Sequence, residues 1–177
     1  MSLLAGPFAI ACVLLAGAGA LKAFRPVDTA NALRAVGLPF GRRARLAIVR
    51  ALGAAEVVIG GVALVTGQAA PSALVALSYA AFAGFVVVAR QRDTAIASCG
   101  CFGKVDTPPS AVHVVLDLLF AGVAVVAAFT GDVALPDVLR DQPLAGVPYL
   151  VLLATGVYLV FLAFTAFPKA MAAVRGA

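Results

Sequence analysis

Residues 46–89 read LAIVRALGAAEVVIGGVALVTGQAAPSALVALSYAAFAGFVVVA and hold only two charged side chains, Arg50 and Glu56. The stretch divides into two apolar runs, 46–66 and 69–89, on either side of Gly67-Gln68. A bilayer core about 30 Å thick needs roughly 20 apolar residues in a helix, so each run is long enough to cross it. Pro71 falls in the first turn of the second run, where a missing N–H is harmless. Two consecutive membrane-spanning helices are predicted.

The same length test, carried outward, finds further spans at residues 3–21, 111–130 and 146–167, the last again with a proline, Pro148, near its start. Composition agrees. The 177 residues are 63% hydrophobic and 12% charged, with mean hydropathy +1.08. A soluble domain carries about 45–50% apolar and about 25% charged residues. This chain could not cover its own surface with polar groups, which excludes a soluble enzyme domain, a disordered chain and a secreted disulfide scaffold. The fold class predicted is an all-α membrane protein, a single integral domain of five transmembrane helices. The run Ala16-Gly17-Ala18-Gly19-Ala20 resembles a signal-peptide cleavage site. No basic region precedes it, however, and the apolar stretch exceeds the roughly 7–15 residues usual there, so a retained span is expected.

The net charge of +5 reflects position rather than nucleic-acid binding. Lys22, Arg25, Arg34, Arg42, Arg43, Arg45 and Arg50 flank the first two spans, Arg90, Arg92 and Lys104 lie between spans three and four, and Lys169 and Arg175 follow span five. Five alternating spans place all of them on one side, leaving Arg140 among Asp132, Asp137 and Asp141 on the other. By the positive-inside rule the N-terminus lies outside the cell's inner (plasma) membrane, and the C-terminus and loop 90–110 are cytoplasmic. Within residues 22–47, Asp28-Thr29 is expected to cap a short amphipathic helix over 30–36 on the inner leaflet, stopped by Gly37-Leu38-Pro39. Gly17, Gly19, Gly53, Gly60, Gly61 and Gly84 are candidate points of close helix approach.

Ionisable side chains inside a span are expensive and therefore mark candidate sites. Glu56, His113 and Asp117 are the ones here, and the two acids are expected at similar depth. His113 and Asp117, four apart, share a helix face, so the carboxylate could orient the imidazole for proton exchange. A purely structural reading pairs Glu56 with an arginine or has it cap a neighbouring helix. Near these spans lies Ser98-Cys99-Gly100-Cys101-Phe102-Gly103. Gly100 lets the two sulfurs converge, and a bridge between near neighbours is strained and readily reduced, which suits exchange. Basic Arg90, Arg92 and Lys104 are close enough in sequence to favour thiolate. Cys99, Cys101 and His113 with Asp117 or Glu56 could instead hold zinc or copper, although the spacing is not a usual zinc pattern. A merely structural loop is the third reading. Cys12 reads as a small buried hydrophobe.

With Ser98 to Gly103 between spans three and four, His113 opening span four and Glu56 in a Gly-rich span two, the chain resembles the MauE-like membrane proteins of methylamine utilisation, related to the DoxX-like group. The resemblance covers roughly spans one to four. It implies a four-helix core, with span five added, and thiol–disulfide chemistry with a thioredoxin-like partner. In methylamine utilisation the family member serves to mature a disulfide-rich dehydrogenase subunit, and DoxX-like proteins are linked to thiol oxidation with quinone as acceptor. The function expected is a thiol–disulfide oxidoreductase with Cys99, Cys101, His113, Asp117 and Glu56 as its working residues and a quinone as acceptor. The alternatives are a non-enzymatic subunit that positions other membrane subunits, and a metal-binding membrane protein.

Overall fold

A computed structural model describes residues 3–37, 39–91, 110–131, 133–167 and 170. Their helices run, in order, α1 (Ala5–Phe24), α2 (Val27–Ala35), α3 (Arg42–Thr66), α4 (Ala69–Gln91), α5 (Ala111–Thr130), α6 (Leu135–Arg140) and α7 (Val147–Thr165). A 3-10 turn, Pro143–Gly146, leads into α7. Five of these helices, α1, α3, α4, α5 and α7, are long and apolar enough to cross a membrane, and no strand occurs among the described residues.

The helix ends depart from the expected boundaries for local reasons. Nothing after Leu21 breaks a helix until Pro26, whose ring disfavours helical geometry at Arg25. α1 therefore runs on through Phe24 and takes Lys22 into its last turn. α3 likewise starts at Arg42, directly after Gly41, rather than at Leu46. Gly67 closes α3 and Gly131 closes α5, both with φ in the left-handed region that glycine adopts without strain. The connecting helix α2 starts at Val27, and no side chain caps it, so Thr29 is an internal, buried residue instead of a cap. Its Ala32 and the C-cap residue Val36 pack against Phe85 and Ala89 of α4, which tucks α2 under the bundle. The six-residue α6, which no periodicity announces, folds back beside α1 and α3.

α1 and α3 form one extensive contact and α4 and α5 the other. A Cβ placed on Gly53 would lie 2.5 Å from the Gly19 carbonyl oxygen, one on Gly19 2.6 Å from that of Gly53, and one on Gly60 2.7 Å from that of Cys12. Since residue 19 faces 53 and residue 12 faces 60, the two helices are antiparallel and meet backbone to backbone. Close approach of this kind is a main source of helix association where lipid is as apolar as the side chains. Gly17, Gly61 and Gly84 have nothing within 4 Å of such a Cβ, because they lie off the contact faces. The apolar core centres on Phe8, Cys12, Leu15, Val75, Tyr79 and Phe120. Tyr79 tilts against Phe120 at 5.3 Å between ring centroids and donates a hydrogen bond to the Ala11 carbonyl at 2.8 Å. α7 is peripheral. Only 6% of its apolar window is buried, against 50% for α1, so it is an addition to a four-helix core.

Gly53→Ala is expected to lower the unfolding midpoint of the detergent-solubilised protein by about 2–12 °C, overpacking costing about 1–3 kcal/mol. Gly61→Ala should leave the midpoint unchanged or raise it, since alanine is the better helix former. Equal midpoints for the two variants would refute the α1–α3 crossing.

Candidate functional site

The glycine contacts of α3 set the position of its acid. Val49, Gly53, Glu56, Gly60 and Ala63 are the buried residues of α3 and follow one helical stripe. Glu56 therefore faces α1 from between two backbone contacts. On a helix each Cα–Cβ bond tilts toward the N-terminus. Lys22, in the last turn of α1, sends its chain back along the helix into the bundle, while Glu56 on antiparallel α3 leans toward it. The ammonium Nζ donates to Glu56 Oε1 at 2.8 Å and to Oε2 at 2.7 Å. Lys22 is 1% exposed and Glu56 2%. The ring of Phe82 on α4 covers the ammonium, with its centroid 3.7 Å from Nζ, so a cation–π contact completes the shell.

Lys22 was read from the sequence as a flanking topology residue, and the structure makes it the buried partner of Glu56 in place of an arginine. Two signals pointed there: no helix breaker separates it from the apolar run, and it falls three residues after Gly19, on the same face.

Beside Phe82 stand His113 and Asp117, one turn apart on α5 and both buried. Ser110, the N-cap residue of α5, shares a 2.8 Å hydrogen bond between its Oγ and His113 Nδ1. The imidazole also bonds to the Phe164 backbone, and its ring lies 5.6 Å from that of Phe164. Ser110 rather than Asp117 thus holds the Nδ1 side of the ring, because the cap hydroxyl is closer to the first helical turn. Asp117 interacts electrostatically with the Lys22 ammonium. His113 and Asp117 line a cavity of about 20 Å³ with Tyr79, Phe82 and Phe164, room for about one water.

A larger cavity of about 150 Å³ lies against the ion pair. Its walls are Lys22 of α1, Thr29 and Leu33 of α2, Leu52 and Glu56 of α3, and Ser78, Ala81, Phe82 and Phe85 of α4. Leu52 and Ala81 are exposed on the outside of the bundle and form its rim. Phe82 lines both cavities.

The structure thus gathers Glu56, His113 and Asp117 around one phenylalanine and adds Lys22, which sequence reasoning missed. Cys99 and Cys101 lie outside the described residues. Among the described residues, no three His, Cys, Asp or Glu side chains come together as a metal site. Compared with known families, residues 1–130 match the one described as methylamine utilisation protein MauE. Comparison with curated proteins and with solved structures gave no match.

Removing one member of a buried ion pair leaves the other charge unpaired in a medium that solvates it poorly, a loss of about 3–5 kcal/mol. Lys22→Met and Glu56→Leu should each destabilise the protein on that scale, and the double variant should be much less damaged than the sum. Unfolding of all three in one detergent checks this double-mutant cycle, and simple additivity would show that the two side chains are not coupled.

Proposed function

Because this chain belongs to the MauE family, we propose that it is an integral membrane thiol–disulfide redox protein, working through Cys99 and Cys101 and passing electrons between a thioredoxin-like partner and a quinone. The observation that carries the reading is the chain order of its parts. The Cys-Gly-Cys motif precedes, within one connection, the helix whose N-cap is Ser110 and whose first two turns hold His113 and Asp117. A reactive dithiol and a set of buried proton-exchanging groups are thereby joined in sequence.

In the oxidising direction, a partner thiolate attacks one sulfur of the Cys99–Cys101 disulfide, the S–S bond breaks and a mixed disulfide forms. The partner's second thiolate resolves it, leaving the partner oxidised and two thiols on this chain. Reoxidation forms the Cys99–Cys101 bond again and releases two electrons and two protons. A quinone supplies the acceptor chemistry, taking both electrons and both protons to become a quinol. In this reading His113 and Asp117 exchange protons and Glu56, held by Lys22, acts as a buried relay. The basic residues that flank the spans support a cytoplasmic cysteine loop with the N-terminus outside the plasma membrane.

Cys99→Ser and Cys101→Ser should each abolish disulfide exchange with a thioredoxin-like dithiol, followed by maleimide gel shift, and one of them should trap the mixed disulfide. Full exchange in both single variants would exclude the thiol mechanism and favour a non-catalytic membrane subunit. The sidedness has its own check. A membrane-impermeant maleimide should label the pair in inverted vesicles after reduction, and labelling in intact cells would reverse the orientation.

A further inference from the structure

We propose that the cavity beside the Lys22–Glu56 pair is the binding site for the ring of a membrane-dissolved quinone, an assignment that rests on the redox reading above. Its size is the first argument. An apolar protein cavity of about 150 Å³ accepts benzene, and this one measures about 150 Å³. A six-membered quinone ring is a body of that kind. The lining is the second. Phe82 and Phe85 offer aromatic faces, while Lys22, Thr29, Glu56 and Ser78 supply the few polar groups that orient a ligand.

The route in is the third argument. The rim residues Leu52 and Ala81 are exposed midway along α3 and α4, both of which are membrane-spanning helices. The opening therefore faces hydrocarbon, and what enters must be dissolved in lipid. α2 closes the other end, through Thr29 and Leu33, so a ring can enter from the side and stop against the ion pair.

The charge arrangement suits the chemistry. Reduction adds two electrons and two protons to the quinone oxygens, and the neutral Lys22–Glu56 pair gives the cavity wall polar groups without a net charge. Oxidation of the dithiol removes two S–H bonds and forms one S–S bond; on the quinol two O–H bonds form, so electrons and protons balance. Phe82 lines both this cavity and the one that holds His113 and Asp117, which puts the proton-exchanging groups beside the same aromatic side chain as the bound ring.

The test uses duroquinone, a tetramethyl benzoquinone, and the full purified chain, read by the rise in unfolding midpoint with ligand concentration. The wild type and the Cys99→Ser/Cys101→Ser double variant should show the same saturable rise. Ala81→Trp, which closes the rim from an exposed position, should weaken binding at least tenfold. Ala80→Trp, exposed on the neighbouring face and outside the cavity lining, should bind as the wild type does. No saturable rise in the wild type, or equal binding by Ala81→Trp and Ala80→Trp, would overturn the assignment. If duroquinone binds as expected while the cysteines show no disulfide exchange, the thiol reading fails and the ring site stands.

Discussion

A lysine and a glutamate that are almost wholly buried, in contact through both carboxylate oxygens, govern the interior of this bundle. Neither charge could be carried alone between apolar helices, since an isolated ion there costs several kcal/mol even after relaxation. Together they are neutral, and Phe82 shields the side of the ammonium that the carboxylate does not cover. The pair also sets register. Sliding α3 by one turn, about 5.4 Å, would carry Glu56 away from Lys22 and drive a residue with a Cβ against the Gly19 carbonyl.

The glycines and the ion pair therefore depend on one another. Gly19, Gly53 and Gly60 bring the backbones of α1 and α3 close enough for the short side chain of Glu56 to meet Lys22. The ion pair in turn makes every other register of the same small-residue stripe unfavourable, because it would leave two charges unpaired. Packing against a stripe of small residues is permissive, and a single polar contact is what makes it specific. The other half of the core, α4 against α5, uses larger side chains and the Tyr79–Phe120 contact.

Much of this was legible in the sequence, and the omissions have a common cause. Span length and the scarcity of charge give the number of helices, since backbone hydrogen bonds must be satisfied internally in lipid. Glu56, His113 and Asp117 stood out because each is ionisable within an apolar run. Lys22 did not, because a lysine three residues inside a helix end can turn outward to headgroups or inward to a partner, and only the fold decides which. Periodicity gives the face of a helix and not its neighbour, so Gly19, Gly53 and Gly60 could not be told from Gly17, Gly61 and Gly84. Phe82 was one of eleven phenylalanines, and its place in the lining of two cavities is a property of the assembled bundle alone.

Charge neutrality links the two cavities more closely than distance does. With Lys22 and Glu56 ionised against each other, the cluster is neutral when His113 and Asp117 are both uncharged and again when both are charged. These two states hold the same number of protons and differ by one transfer between side chains a single helical turn apart. Every other protonation of that pair leaves a net charge in a medium that opposes it. Uptake of a proton on one side of the cluster is therefore favourable only with release on another. A core with Glu56 and Lys22 alone would hold the helices together, and a core with His113 and Asp117 alone would lack the fixed ammonium that interacts with Asp117. Their convergence on Phe82 places two pairs of ionisable groups side by side within one apolar interior.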